Sequence, residues 1–329
     1  MSAKKIAVCV MSRANYGRLK SVIDAIIEHP QLELQLICGC SCLNLPYKID
    51  TKIDCLMFND SKGNMAKTEG LLTIEMVTTF ERLQPDIVLV HGDRFEVLAC
   101  AVAASYMGIP LAHTEGGEVT GCIDDKVRNA ITALTDIHFP VTVDAAKRIN
   151  KNNVHVVGSP ALDTLTKLDL SNNREEDYIL VLHHPNTTEC ESIEPLIEAL
   201  SVLDIKKVWV NPNTDAGNKT ILKKIHNLKD VEFVKDLQPE EYYRLLANCE
   251  YAIGNSSSFI KEGAFLGVAA VLVGNRQQGR EHAHNIVFAE NTKESIAKVL
   301  NYCNFKVNCS TMFGDGTSGK RIADILAEV

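Results

Sequence analysis

A chain of 329 residues that is 46% hydrophobic and 23% charged can hold two ordinary domains with real cores, which excludes a disordered protein. A formal net charge of -8 with no long basic run excludes a general nucleic-acid or anionic-membrane surface, but not a small anion held by a few arginines. No apolar run approaches the roughly 20 residues that span a bilayer, and "MSAKKIAVCVMSR" has too short an apolar stretch for a signal segment, so a cytoplasmic protein is expected.

In chain order, "KKIAVCVMS" reads as a strand. "YGRLKSVIDAIIEH" has helical spacing at Leu19, Val22, Ile23, Ile26 and Ile27. "LELQLICG" is a second strand, and "CLMF" a candidate third. A helix is expected over 70–83, ending before Pro85. Then come "DIVLVHGD" (strand), "FEVLACAVAASYM" (helix), "IPLAHTEGG" (strand) and "DDKVRNAITALT" (helix). "HFPVTV" (strand), a short helix and "VHVVGSP" (strand) complete the first half.

The polar stretch "KLDLSNNREED" at 167–177 reads as a linker. Beyond it the alternation restarts with "YILVLHHP", "KKVWVNPN", "VEFV", "YAIGNSSS" and "VAAVLVGN", with a helical pattern between each strand and the next. Continuous apolar strands alternating with helices imply parallel sheets covered on both faces. The expected fold is α/β: two Rossmann-like domains, 1–168 and 169–329, with parallel sheets facing across a cleft. The last segment, "KRIADILAEV", can pack on either domain.

Eleven cysteines, an odd number, lie mostly inside apolar runs, as reduced core cysteines do. Cys38, Cys40 and Cys42 would share one face of a strand. No nearby histidine or cysteine completes a metal motif, so a strand face and its following loop is the preferred reading. Nothing in the sequence calls for a metal or other cofactor.

Ligands of open α/β sheets bind beyond the carboxyl ends of strands. Those ends are polar here. Gly254 closes a strand, and Ser256, Ser257 and Ser258 open a helical pattern whose N–H groups would suit a phosphate. A plain serine cap accounts for them equally well. Arg276 and Arg280 follow the next strand and supply forked donors for phosphate oxygens. Arg13 ends the first strand. Asp93 and Arg94 follow another, where a surface ion pair is the bland reading. Of His183 and His184, adjacent in a strand end, only one can reach a cleft. Neither Walker A nor G-x-G-x-x-G is present, which removes ordinary NTPase and dinucleotide readings.

"HTEGGEVTGCIDDKVR" gathers Glu115, Glu118, Asp124 and Asp125 just past a strand. One aspartate serves as a helix cap. The other carboxylates need a partner that becomes positive, and a sugar losing its anomeric substituent is one.

Together "HGDRFE", "HTEGGEVTGCIDDKVRNAIT", "HHPNTTE", "NPNTDAGNK", "GNSSSFIKEGAF" and "GNRQQGRE" resemble the UDP-N-acetylglucosamine 2-epimerases. The likeness spans nearly the whole chain and is strongest to the hydrolysing, sialic-acid-synthesis branch. It implies a GT-B-like fold with the nucleotide held mainly by the C-terminal domain, and a homo-oligomer. It also implies a reaction: UDP leaves UDP-N-acetylglucosamine to give 2-acetamidoglucal, and water adds to give N-acetylmannosamine. Arg13, Asn255, Ser256, Ser257, Ser258 and Arg276 would hold the UDP-sugar, with Glu262 at the ribose. His184 would sit near the phosphates. Asp93, Glu115 and Asp124 would surround the sugar, supported by Arg94 and Asp125; which of them takes the C2 proton stays open. The branch usually carries Gly-x-His-Leu after its second strand, where this chain has "GCSCLNLP", and Phe259 and Ala269 replace a usual glycine and a common proline.

The readings carried forward are the hydrolysing epimerase, a non-hydrolysing UDP-sugar epimerase, and a hydrolysing enzyme for a 6-deoxy, 4-amino UDP-sugar. A glycosyltransferase and a catalytically silent nucleotide-sugar binder remain as other classes.

Overall fold

β1 (Lys4–Val10) shows why the chain folds as it does. Residues 6–10 are fully buried. Ile6, Val8 and Val10 enter one core, while Ala7 and Cys9 enter another on the opposite face. A strand buried on both faces must be apolar at every position. The computed structural model describes residues 3–39, 45–54, 62–120, 123–171, 174, 176–185, 191–212, 217–226, 228, 231–235, 237–302 and 307–329.

Two compact units result: residues 1–118, 124–167 and 313–329 form one, and 119–123 with 168–312 the other. The first unit adds β2 (Leu32–Gly39), β3 (Thr51–Ile53), β4 (Ile87–His91), β5 (Leu111–Thr114) and β6 (Ile137–Phe139). Its sheet runs β3-β2-β1-β4-β5-β6. The second unit contains β7 (Tyr178–Leu182), β8 (Lys206–Val210), β9 (Val231–Val234), β10 (Tyr251–Gly254), β11 (Ala270–Val273) and β12 (Ile286–Ala289). Its order is β12-β11-β10-β7-β8-β9, the same winding read from the other edge. All these pairings are parallel. Both sheets therefore reverse direction beside their first strand, at β1/β4 and at β7/β10. Such switch points open a crevice at the carboxyl ends.

In the first unit, α1 (Arg13–Glu28) is capped by Ser12, whose hydroxyl accepts from the Asn15 N–H at 3.2 Å. Leu19, Val22, Ile23 and Ile26 enter the core, but Ile27 is 54% exposed. α2 (Lys62–Leu83) begins earlier than expected, because its first two turns carry little apolar surface to mark them. α3 (Phe95–Tyr106), α4 (Ile123–Leu134), α5 (Val143–Arg148) and the short α6 (Ala161–Leu165) follow. Beyond the second sheet's helices α7 (Glu194–Leu200), α8 (Asn218–Ile225), α9 (Pro239–Ala247), α10 (Lys261–Leu266) and α11 (Lys293–Tyr302), α12 (Ser318–Glu328) packs on α1. Asp163 in α6 caps α12, accepting from the Ser318 and Gly319 N–H groups at 3.0 and 2.6 Å.

Some expectations are corrected. "VHVVGSP" is not a strand; it makes one isolated bridge, His138 to Val154. The neighbouring β6 ends just before Pro140, which accepts from the Val157 N–H at 3.2 Å but has no N–H to return. "HFPVTV" is a strand only to Phe139, because Thr142 caps α5. β12 and α11 were not foreseen. "CLMF", Cys40 and Cys42 lie outside the described residues. Cys9 and Cys38 are buried, and burial, with Cys9 alongside, pushes the Cys38 thiol up to about 11. Among the described residues no helix is long and apolar enough to cross a membrane, and no His/Cys/Asp/Glu group could hold a metal ion.

Candidate active site

At the first unit's switch point, β4 ends in His91 and β5 in Thr114. Glu115 follows at φ 65°, a left-handed backbone that costs a non-glycine residue roughly 1–2 kcal/mol. Its N–H donates to the Phe139 carbonyl at 3.1 Å. Arg18 Nη1 lies 3.1 and 3.3 Å from the two carboxylate oxygens, and Ser159 Oγ donates to Oε1 at 3.1 Å. His91 Nε2 stands 3.8 Å from Oε2, and its Nδ1 is 2.8 Å from Thr114 Oγ1. Glu115 is thus buried, yet held in one orientation by charge and hydrogen bonds from α1, β4 and the 154–160 segment. Gly117 answers the need for the double glycine: φ is 78°, and a Cβ there would lie 2.2 Å from the Ala145 carbonyl.

A second cluster stands beside it. Arg128, on α4 and 1% exposed, donates from Nη2 to Asp93 and from Nη1 to Asp125 at 2.6 Å. Nη1 also donates to the Glu118 carbonyl at 2.8 Å. Burial opposes the charge, but Asp93 and Glu118, with the hydrogen bonds to Asp93 and Asp125, hold the guanidinium above its ordinary pKa. Asp124 and Asp125 lie within the first turn of α4, where a helix dipole favours acids. Arg94, expected beside Asp93, forms a bidentate pair with Glu96, both contacts at 3.0 Å.

The second unit's switch point is closed by Asn255. Its Oδ1 accepts from the His184 N–H at 2.7 Å, and its Nδ2 donates to the His184 carbonyl at 2.9 Å. One amide therefore pairs with both backbone groups of a residue beyond β7, as another strand would. His183 is buried with Nε2 3.4 Å from the Asn255 amide nitrogen, whereas His184 is half-buried. Arg276 Nη1 and Gln277 Nε2 donate to the Asn255 carbonyl at 3.2 and 3.1 Å. Ser256 caps a 3-10 turn (Ser257–Phe259), not the α-helix expected, and α10 starts only at Lys261. Ser256 and Ser258 hydroxyls lie 2.8 Å apart, and Ser258 also meets the Tyr242 hydroxyl from α9. Phe259 is fully buried and Glu262 2% exposed. The linker candidate is tied to this unit: Arg174 grips Glu232 at 2.8 and 2.7 Å.

The sequence reading missed Arg18, His91, Arg128, Ser159 and Tyr242. Arg18 lies on α1 with Arg13, and His91 and Arg128 stand inside the quoted stretches "HGDRFE" and "HTEGGEVTGCIDDKVR" without being singled out; Ser159 and Tyr242 sit in unremarkable stretches. The side chain of Arg13 and most of "GCSCLNLP" lie outside the described residues.

His113 and His183 give the protein a pH dependence. His113 Nε2–H donates to the Gly92 carbonyl at 2.7 Å. Burial draws both imidazoles from 6.5 down to about 4. Unfolded, each takes a proton near 6.5; folded, only near 4. Their contribution is complete above pH 6.5, is lost as pH falls, and levels off below 4. The loss is about 3 kcal/mol per histidine. Buried Asp163, with its pKa raised by desolvation, works in the opposite direction. Urea midpoints measured from neutral pH downward should fall through this window, with a shallower slope in His183→Gln. An identical slope in that variant contradicts the assignment.

Two wound parallel sheets, each with its polar residues at the switch point, define an α/β protein of the GT-B-like class. The model described as UDP-N-acetylglucosamine 2-epimerase matches residues 28–327, and the chain belongs to that family. The hydrolysing UDP-N,N'-diacetylbacillosamine 2-epimerase of Legionella pneumophila is 29% identical, over 99% of this chain and 96% of its own. A UDP-N-acetylglucosamine 2-epimerase of Neisseria meningitidis serogroup B is 28% identical, over 98% and 95%. The fold is shared with the Methanocaldococcus jannaschii UDP-GlcNAc 2-epimerase solved with UDP-GlcNAc and UDP: TM-score 0.85, 22% identity, 99% of this chain and 100% of that one.

Proposed function

We propose that the chain is a hydrolysing 2-epimerase that converts UDP-N-acetylglucosamine and water to N-acetylmannosamine and UDP. The observation that carries this reading is Glu115: a buried carboxylate in a left-handed backbone, oriented by Arg18 and Ser159 at a switch point. A carboxylate placed at such cost fits the stabilisation of developing positive charge or a proton transfer. The C2 proton passes to a carboxylate, the C1–C2 double bond forms, and the C1–O bond breaks with its electron pair leaving on UDP. Water then adds its hydroxyl to C1, and a proton returns to C2 on the opposite face. Asp93, Glu115 and Asp124 serve the sugar, with Asp125 and Arg94 around them. Arg13, Asn255, Ser256, Ser257, Ser258, Glu262 and Arg276 bind the UDP moiety, and His184 assists its departure.

A second reading, a 6-deoxy, 4-amino UDP-sugar as substrate, draws support from the Legionella pneumophila relative. The two are separated by turnover in heavy water. Free N-acetylmannosamine deuterated at C2, with UDP, supports the first. Deuterated UDP-sugar alone means a non-hydrolysing enzyme. Turnover only with UDP-N,N'-diacetylbacillosamine moves the assignment to the second. UDP binding with no turnover of either sugar rejects both.

A further inference from the structure

We propose that Arg128 is a positioning residue, one buried guanidinium that fixes Asp93, Asp125 and the Glu118 backbone in a single arrangement for turnover. The inference rests on the epimerase reading and adds to it a residue that never needs to touch substrate.

Asp93 belongs to the turn between β4 and α3, Glu118 to the segment after the double glycine, and Asp125 to the first turn of α4. These segments are separate in sequence; Gly92 N–H reaches the Thr114 carbonyl at 3.1 Å, before the double glycine. Arg128 joins all three from one side chain. Two of its acceptors, the Glu118 carbonyl and the Asp125 carboxylate, lie seven residues apart in sequence and meet at one nitrogen, Nη1.

Burial sharpens the point. Arg128 is 1% exposed, while the Asp93 and Asp125 side chains keep 25% and 22% of their surface. The cation is the enclosed member, and each carboxylate keeps a face toward the surroundings. The arrangement suits a fixed support with presented acids better than a surface ion pair. A charge so enclosed is costly unless every direction is answered. The answer here needs a planar fork that serves two carboxylates and a carbonyl at set angles. Lysine, a point charge on a flexible stem, cannot meet all three. Glu118 and His113 also act on the guanidinium through their charges, and neither replaces the fork.

The test uses Arg128→Gln and Arg128→Lys in the full chain. In Arg128→Gln, kcat should fall at least about 100-fold, the scale of misplaced catalytic groups, with UDP binding by calorimetry unchanged. Arg128→Lys should recover part of kcat but not all. Amide exchange supplies a readout independent of activity: peptides covering 92–95 and 118–128 should lose protection in Arg128→Gln, while β1 and the second unit keep theirs. Unchanged exchange in these peptides, or a kcat equal to wild type, overturns the proposal. Loss of protection throughout the first unit overturns it too, because Arg128 is then a general core support. If the wild type turns over no UDP-sugar, the epimerase reading fails, and the exchange pattern alone decides whether Arg128 organises the cluster.

Discussion

Gly254→Ala should cost the second unit more than about 4 kcal/mol and abolish UDP binding with it. A Cβ built at this glycine lies 2.0 Å from the Leu182 carbonyl oxygen and 2.6 Å from its carbon, and φ is +143°. The obstacle is the backbone of β7, which cannot rotate away as a side chain can. Gly254 pairs with Leu182, and the next N–H, of Asn255, donates to the same Leu182 carbonyl at 3.1 Å. Moving β10 outward breaks that bond and the Asn255 amide clamp on His184. Arg276 and Gln277 would then lose the carbonyl that orients them. Urea denaturation and UDP calorimetry measure the two effects. Gly70→Ala, with no atom within 4 Å in a helix interior, is the control and should be neutral or stabilising by about 0.5–1 kcal/mol. A Gly254→Ala protein with the wild-type urea midpoint and normal UDP heat contradicts the close approach.

Glu115→Gln should lower kcat about 10²–10⁴-fold and leave UDP affinity in place. Glutamine keeps the shape and can still accept from Arg18 and Ser159 through its amide oxygen, so the loop has little reason to rearrange. What disappears is the negative charge and the capacity to take a proton. Arg276→Ala should show the reverse pattern: weaker UDP binding, because its anchor on the Asn255 carbonyl is lost along with its charge. Steady-state kinetics with UDP calorimetry on both variants gives the comparison. If both lose UDP binding alike, the division of labour proposed for the two residues is wrong.

The fold was legible because parallel strands leave a plain mark. "KKIAVCV", "DIVLVHGD" and "YILVLHHP" are apolar without alternation, which only a sheet covered on both faces explains. The polar strand ends were legible for the same reason, since winding brings carboxyl ends together. Glu115 stood out as a charge with no local use. Its supports did not. Arg18, Ser159 and His91 come from α1, a loop and β4, and nothing in their spacing says that they meet at one carboxylate. Arg128 reads as one more arginine on an amphipathic helix. β12 was hidden by its shortness after a long polar segment, and the 154–160 stretch was overcalled because Pro140, just past the neighbouring strand, ends the ladder.

The last helix has a consequence for how the protein is made. α12 completes the core over α1, and Lys4 Nζ donates to the Leu326, Ala327 and Val329 carbonyls at 3.0, 3.1 and 2.7 Å. The β1 and α1 segment is therefore completed by a helix that is made after residues 168–312. Residues 168–312 are available for folding earlier, while the face of α1 that α12 packs on stays uncovered. At roughly 5–20 residues per second, that exposure lasts many seconds for each molecule. The interval gives chaperones a defined target on the nascent chain, one that vanishes when α12 docks on α1.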